Sequence, residues 1–488
     1  MTRITWAILL ALATTSCGDP TTPLANFPPV DPGTGAICSP RTPTGLCPAG
    51  RICRQGACII DLDPGEPIDT QEALSRLEAI WSFYNQSYGA FPAKTVDWPA
   101  VRTAYHTRIE DATSAFEASW LLSLMVDQLH DGHSYAMDRQ RCDLTGQLGQ
   151  GYSNVGACVT EIQGGTLHVY RLGPFNPAGF ELGDELLSID GRDVDALLGD
   201  LEQQPRCVLQ ASTPAMSRGQ LVDGLLLRAP GQRRVELRRD GRVVTLMVTV
   251  EPSQTDLLRC DGRVGPAPVT SHSFDIQSTV LAGDVLYVHL PYFGGHDILG
   301  GFVSQPVIDE LRALLQQAKE HRGLVLDLRS NSGGSPTVYL ALAGWLYTEP
   351  TTLFFCHYKN GLRYTDHGPK WPMSVAPDPS LSCNSPLALL VNSRTFGAGD
   401  FTTYFLQATD RATTFGEPSG GGFGNGNTKP FDAGWTLGFN DILCTDLEGN
   451  PLEGNPPDVD VPVQYTSADL AQGVDTVIEA ARSWVAAQ

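Results

Sequence analysis

Val391-Asn392-Ser393-Arg394-Thr395-Phe396-Gly397-Ala398-Gly399-Asp400 follows the apolar run Pro386 to Val391 (PLALLV) and opens the amphipathic segment FTTYFLQAT. A strand, a tight turn and a helix N-terminus in that order form the arrangement that lifts a nucleophile to the edge of a sheet. Around this stretch, from about Val285 onward, strand and helix patterns alternate, which predicts an α/β fold. LYVHLPY (286–292) and GLVLDL (323–328) read as strands. Val307, Leu311, Leu314, Leu315 and Ala318 mark one face of a helix, and a final helix is expected from about Ser467 to Ala487.

Upstream the texture changes twice. Between about 150 and 252, VGACVTEI, LHVYRL, RRVELRRDG and RVVTLMVTV alternate like strands. From Asp69 to about 140 the pattern is helical. Asp69-Thr70-Gln71-Glu72 offers a cap, and Leu74, Leu77, Ile80, Trp81 and Tyr84 recur at helical spacing. Further helices are expected from Trp98 through Tyr105 and from Ala115 through Leu129, and the aromatic stripe reads as core.

At 488 residues the chain predicts two to four domains, and 42% hydrophobic residues suffice for sizeable cores. Its 33 basic against 54 acidic residues give a formal net charge of −21. No Lys/Arg cluster supplies the basic face that nucleic acid or an anionic membrane would need. The first residues read as an export signal: Arg3, an apolar run from Ile4 to Ala13, then Thr14-Thr15-Ser16-Cys17. The last four resemble a lipobox, which would place a lipid on Cys17 of an outer-membrane or cell-surface lipoprotein facing periplasm or exterior. Cleavage after Ala11-Leu12-Ala13, giving a soluble secreted or periplasmic protein, is the alternative. Residues 18–68 read as a Pro/Gly-rich spacer in which Cys38, Cys47, Cys53 and Cys58 staple a small module through two disulfides. Seven further cysteines follow, an odd number that leaves at least one free unless it pairs between chains.

Several motifs line up along the chain. Asp131-Gly132-His133-Ser134 ends the helical region. Asn176-Pro177-Ala178-Gly179-Phe180-Glu181-Leu182-Gly183-Asp184-Glu185 and its continuation to Arg192 resemble a PDZ domain. Asp327-Leu328-Arg329-Ser330-Asn331-Ser332-Gly333-Gly334 follows a strand, and Phe396-Gly397-Ala398-Gly399-Asp400 comes next. Gly416-Glu417-Pro418 and Leu452-Glu453-Gly454-Asn455-Pro456-Pro457-Asp458-Val459 close the series. Over about residues 69–488 this order resembles the C-terminal processing (tail-specific) serine protease family, in the branch whose active site matches the tricorn protease core.

The resemblance implies a helical domain at 69–140, a PDZ-like domain at 150–252 and a protease core of the ClpP/crotonase-like spiral type at 284–488. It implies capture of unstructured polypeptide or protein C-termini, with peptide contacts at Gly179, Phe180 and Leu182, since PDZ domains add an extended peptide to a sheet edge. His133 matches the general base. Gly333, Gly334 and Ala398 match an oxyanion hole. Glu453 matches the glutamate that orients the site, although the stretch to Asp458 is two residues shorter than the family pattern. A solvated loop glutamate is the other reading. Asp327 and Arg329 read as structural. His130 and His133 with Asp131 suggest a metal pair, but a third ligand with motif spacing is missing, so no metal and no cofactor are expected. The glycine run Gly420–Gly424 has no Lys-Ser/Thr after it, which argues against a phosphate loop. It also lacks the lysine of the bacterial Ser–Lys branch.

One residue departs from the pattern. The family's nucleophilic serine lies three residues before the acidic residue of the turn, and here that position is Gly397. Losing a serine nucleophile costs about a million-fold in turnover. Ser393, Thr395 and Ser419 are the neighbouring hydroxyls that could replace it. Two readings follow: a peptide-binding relative without catalysis, or a peptidase using His133 and a non-standard nucleophile.

Overall fold

The computed structural model describes residues 67–139, 155–202, 210–226, 231–250, 258–265, 275–296 and 302–488, and the backbone of 51–54, 57–60 and 152–153. The export signal, Cys17, Cys38 and Cys47 lie outside the described residues. Arg51–Arg54 and Ala57–Ile60 form an antiparallel hairpin that sets Cys53 opposite Cys58.

Three helices open the described chain: α1 (Thr70–Ser87), α2 (Trp98–Glu110) and α3 (Ala115–Asp127). Asp69 caps α1 by accepting from the Glu72 amide at 2.9 Å. Leu77, Ile80 and Tyr84 are buried, as the helical spacing predicts. Helix α3 is buried on nearly all sides, and its two serines are satisfied there. Ser119 Oγ donates to Asp138 and Ser123 Oγ to the Ala136 carbonyl. The strand receiving these bonds, β1 (Tyr135–Asp138), pairs with a strand 300 residues later, Trp435–Phe439. Trp435 and Leu437 complete the helical core, so this core draws on both ends of the chain.

The middle unit is an antiparallel sheet of β2 (Ala157–Glu161), β3 (Leu167–Leu172), β4 (Glu185–Ile189), β5 (Gly231–Arg239) and β6 (Arg242–Val250), in spatial order β6-β5-β4-β3-β2. Helices α4 (Val194–Glu202) and α5 (Pro214–Gly224) accompany it. Phe180 is 2% exposed and packs inside this unit. The turn Gly179–Gly183 faces the short helix α9 (Ser467–Ala471), where Ala471 would lie 2.8 Å from a Cβ on Gly183. Phe180 is thus a core residue, while Gly179 is exposed and Leu182 half-buried. The two edges of this sheet are β2 and β6.

The α/β core carries a six-stranded sheet ordered β7 (Gln277–Leu281), β8 (Val285–His289), β9 (Gly323–Asp327), β12 (Leu387–Val391), β13 (Thr413–Gly416) and β17 (Val461–Pro462). Only the β7–β8 pair is antiparallel. Strands β8, β9 and β12 are buried at every residue, which is why they read as unbroken apolar runs. Helices α6 (Gln305–Ala318), α7 (Pro336–Leu346) and α8 (Ala398–Ala408) connect the parallel strands. A second layer joins β10 (Thr351–Tyr358), β11 (Trp371–Val375) and β16 (Ile442–Thr445), and β14 (Asn427–Pro430) pairs with β15 (Trp435–Phe439).

The expected final helix is two helices, α9 and α10 (Thr476–Ala487). The break at Gly473, with φ +68°, frees Asp475 to cap α10 and to grip Arg329 from outside the helix. Arg329, 2% exposed, meets both oxygens of Asp327 at 3.0 and 2.7 Å and both of Asp475 at 3.0 Å. The structural role expected of Asp327 and Arg329 matches this geometry.

Among the described residues two disulfides form, Cys158–Cys260 and Cys356–Cys444, and Cys383 is free and buried. Cys142 and Cys207 lie outside the described residues. The first bridge ties β2 to the segment entering the α/β core across 102 positions. Loop-closure entropy of a ~100-residue loop predicts that Cys158→Ala/Cys260→Ala loses about 2–4 kcal/mol, measurable by urea denaturation. No helix among the described residues is long and apolar enough to cross a membrane.

Candidate active site

The turn after β12 carries the site. Gly397 adopts φ +60°, ψ −116°, a left-handed conformation that L-residues reach only under strain. A Cβ placed there would lie 3.5 Å from Gly333 Cα, 3.7 Å from His133 Nε2 and 4.0 Å from the Ser332 carbonyl oxygen. All three are ordinary contacts, so a side chain fits, and it would face the histidine. In the sequence Gly333 follows His133 by 200 positions and Gly397 follows Gly333 by 64; the fold brings them together. They share the wall of a cavity of about 860 Å³ with Gly334, Ala398 and a set of aromatic side chains.

His133 sits in the Asp131–Ser134 turn between α3 and β1. Asp131, 1% exposed, accepts from the His133 amide at 2.7 Å, from the Tyr88 hydroxyl at 2.9 Å and from Asn440 Nδ2 at 3.2 Å. These bonds fix the backbone that aims the imidazole. Phe396 packs on the ring, centroids 4.4 Å apart. Burial lowers the imidazole's pKa, against the opposing pull of Asp131, so the ring is a neutral base near pH 7.

Glu453 is 1% exposed, which removes the reading of a solvated loop glutamate. Its carboxylate accepts from Lys94 Nζ at 3.0 Å and from the Phe423 amide at 2.8 Å. Burial, then the charge of Asp131, pushes its pKa up to about 7, partly offset by Lys94 and Ser212. Asp131, His133 and Glu453 offer oxygen and nitrogen atoms all within 4.8 Å of one another. Glu453 is the third group that spacing did not reveal. The Lys94 ammonium already sits against it and both Asp131 oxygens hold protein donors, while His133 Nδ1, 3.8 Å from Asp131 Oδ1, has no hydrogen-bond partner among the described residues.

Lys94 and Ser212 are the residues the sequence reading missed, and Asp400, read there only as the acidic marker of the turn, has a structural part. Lys94 enters from the loop between α1 and α2 and also donates to the His130 carbonyl at 2.8 Å. Ser212, just before α5, accepts from the Gly132 amide at 3.0 Å. Asp400 accepts from the amides of Gly397, Gly421 and Gly422 at 2.8, 2.8 and 2.9 Å, tying the turn to the glycine run. Burial raises its pKa to about 6. The glycine run has a steric reason too: a Cβ on Gly422 would fall 1.9 Å from the Phe396 ring.

The expected oxyanion hole needs one correction. The Gly333 amide donates to Asn331 Oδ1 at 2.8 Å, so it is spent within its own loop. Gly334 bridges Phe293 through neighbouring groups, the Phe293 amide donating to the Gly333 carbonyl and the Ser335 amide to the Phe293 carbonyl. The amides of Gly334 and Ala398 have no partner among the described residues. Ser393, Thr395 and Ser419 are all buried and none lines the cavity. Arg394 leaves the turn in the other direction, pairing with Asp223 of α5 at 2.5 and 2.7 Å and donating to the Gly219 carbonyl at 3.1 Å.

His130 gives a pH signature. Burial, then Lys94, lowers its imidazole from 6.5 to about 4. The folded state keeps the ring neutral, so its contribution to stability is complete above about pH 6.5 and is lost as pH falls toward 4. His130→Gln should lose about 2 kcal/mol less than wild type between pH 7 and pH 4, read by denaturant titration at both values.

A base held beside a strand–turn–helix elbow, with free amides next to it, is the layout of an acyl-transfer hydrolase site. Residues 284–461 match the family model of peptidase family S41. The fold matches mature CPAF, solved in complex with lactacystin, with TM-score 0.65 and 15% identity over 86% of this chain and 98% of that one. It also matches a Parabacteroides merdae ATCC 43184 protein described as a peptidase, with TM-score 0.52 and 18% identity over 86% and 97%. Among curated proteins nothing matches.

Proposed function

We propose that this is an exported, tail-specific-peptidase-like protein that captures unstructured polypeptide or protein C-termini without hydrolysing them. One observation carries the reading: the position facing His133 Nε2 belongs to Gly397, which has no side chain to attack a carbonyl or to be acylated. The base, its carboxylate support and the free amides of Gly334 and Ala398 remain, and these bind a peptide carbonyl whether or not it is cut. The middle unit, PDZ-like in its sequence, supports capture through the β2 edge beside α5. Two disulfides and the export-signal pattern support a destination outside the cytoplasm, with a lipid anchor on Cys17 as the route to a membrane.

A second reading, an active endopeptidase with an unusual nucleophile, draws on Ser332, an exposed residue of the cavity wall next to Gly397. Disordered peptides incubated with mature protein and followed by mass spectrometry decide between the two. Intact peptides support the first reading. Cleavage that disappears in His133→Ala overturns it.

A further inference from the structure

We infer that the turn at Gly397 is a receptor for a free peptide C-terminal carboxylate, with the last side chain of that peptide in the aromatic cavity. This rests on the non-catalytic reading and adds a ligand chemistry to it. A Cβ on Gly397 would stand 3.5 to 4.0 Å from Gly333 Cα, His133 Nε2 and the Ser332 carbonyl oxygen, so the glycine leaves a gap between its own Cα and the imidazole. A serine hydroxymethyl would fill that space; glycine leaves it for an atom of the ligand. A carboxylate oxygen in van der Waals contact with Gly397 Cα, beyond the Cβ position, reaches hydrogen-bond distance of His133 Nε2.

The second carboxylate oxygen has its own donors. Ala398 is the first residue of the 11-residue helix α8, so its amide has no partner within the helix, and it lies 3.2 Å from the Cβ position of Gly333. The Gly334 amide is the other free donor in the same wall. The helix N-terminus adds positive partial charge. Asp400, the anion in the first turn, spends its oxygens on the Gly397, Gly421 and Gly422 amides. Two oxygens, one facing the imidazole and one facing backbone amides, describe a planar carboxylate when the neutral ring carries its proton on Nε2, and no partner among the described residues holds that proton at Nδ1. Beyond the carboxylate, Tyr339, Phe354, Trp371, Met373, Phe401 and Ile442 line the cavity. This suits a large apolar last residue. Trp371 Nε1 is a buried atom without a partner among the described residues and is left over for a ligand acceptor.

The test uses a fluorescently labelled, unstructured peptide ending in phenylalanine, as free acid and as C-terminal amide, titrated into the mature full-length protein by anisotropy. Mass spectrometry checks that the peptide stays whole. Charge-assisted hydrogen bonds predict that the acid binds about tenfold to a hundredfold more tightly than the amide. The preference should vanish in Gly397→Ala, whose methyl fills the space, and in His133→Gln, which does not depend on accommodating a side chain at positive φ. Equal binding of acid and amide by wild type overturns this inference and leaves the non-catalytic reading standing. A preference that survives both substitutions also overturns it, because the carboxylate is then held at the middle unit. Cleavage of the peptide overturns both.

Discussion

On the proposed non-catalytic reading, Gly397→Ser is expected to create a serine peptidase. The new Cβ meets no atom closer than 3.5 Å and stands 3.7 Å from His133 Nε2, so one further bond brings Oγ within hydrogen-bond reach of the base. The free amides of Gly334 and Ala398 stand beside it. Because a serine nucleophile is worth about a million-fold in such sites, a gain of at least about a thousand-fold over wild type is expected even from imperfect geometry. The substitution has a cost: an L-residue at φ +60° loses about 1–2 kcal/mol, which should show as a Tm a few degrees lower. A serine-reactive fluorophosphonate should label the variant and leave wild type and the His133→Ala double variant unlabelled. If Gly397→Ser folds yet neither labels nor cleaves, position 397 is not the nucleophile position.

Arg329→Met should be the most damaging single substitution for stability. It leaves Asp327 and Asp475 buried without their cation, and Tyr465, whose hydroxyl takes Arg329 Nη1 at 2.7 Å, loses its donor. Breaking a buried pair from one side costs about 3–5 kcal/mol, because the remaining charge stays desolvated. The contacts tie the end of β9 to the start of α10, so the Gly333–Gly334 loop that follows Arg329 should loosen as well. Arg102→Met is the control. Its pair with Glu78 is 47% and 39% exposed on the two sides, and exposed pairs contribute about 1 kcal/mol at most. Urea denaturation of the two variants should give clearly separated midpoints. A loss at Arg329 no larger than at Arg102 would contradict the network.

What the sequence discloses here is mostly local. The apolar runs at β8, β9 and β12, the Asp69 cap and the helix end before His133 all follow from periodicity and end signals within a dozen residues. The α/β pattern follows in the same way. The site's electrostatics are not local. Lys94 and Glu453 stand 359 positions apart and meet at 3.0 Å, and nothing around either residue announces the other. The last helix misled because its apolar spacing persists across Gly473, while the break serves Asp475's distant contact with Arg329. Phe180 misled in the opposite sense: a residue inside a recognisable motif was assigned to ligand contact, although a large apolar side chain is more often core. Gly333 shows a finer limit. Its type and place fit an oxyanion donor, but which carbonyl or carboxamide its amide meets is a matter of tenths of an ångström.

The Arg394–Asp223 contact reaches beyond the turn from which it starts. It makes the middle unit a buttress rather than a swinging arm: sliding α5 by a few ångström would strand a buried guanidinium, at about 3–5 kcal/mol. Excising residues 150–252 would do the same, so the elbow's shape is a joint property of two units that sequence motifs treat as separable. Hydrogen exchange at the first amides of α8 should accordingly follow the unfolding of the middle unit, and the chain should lose both together.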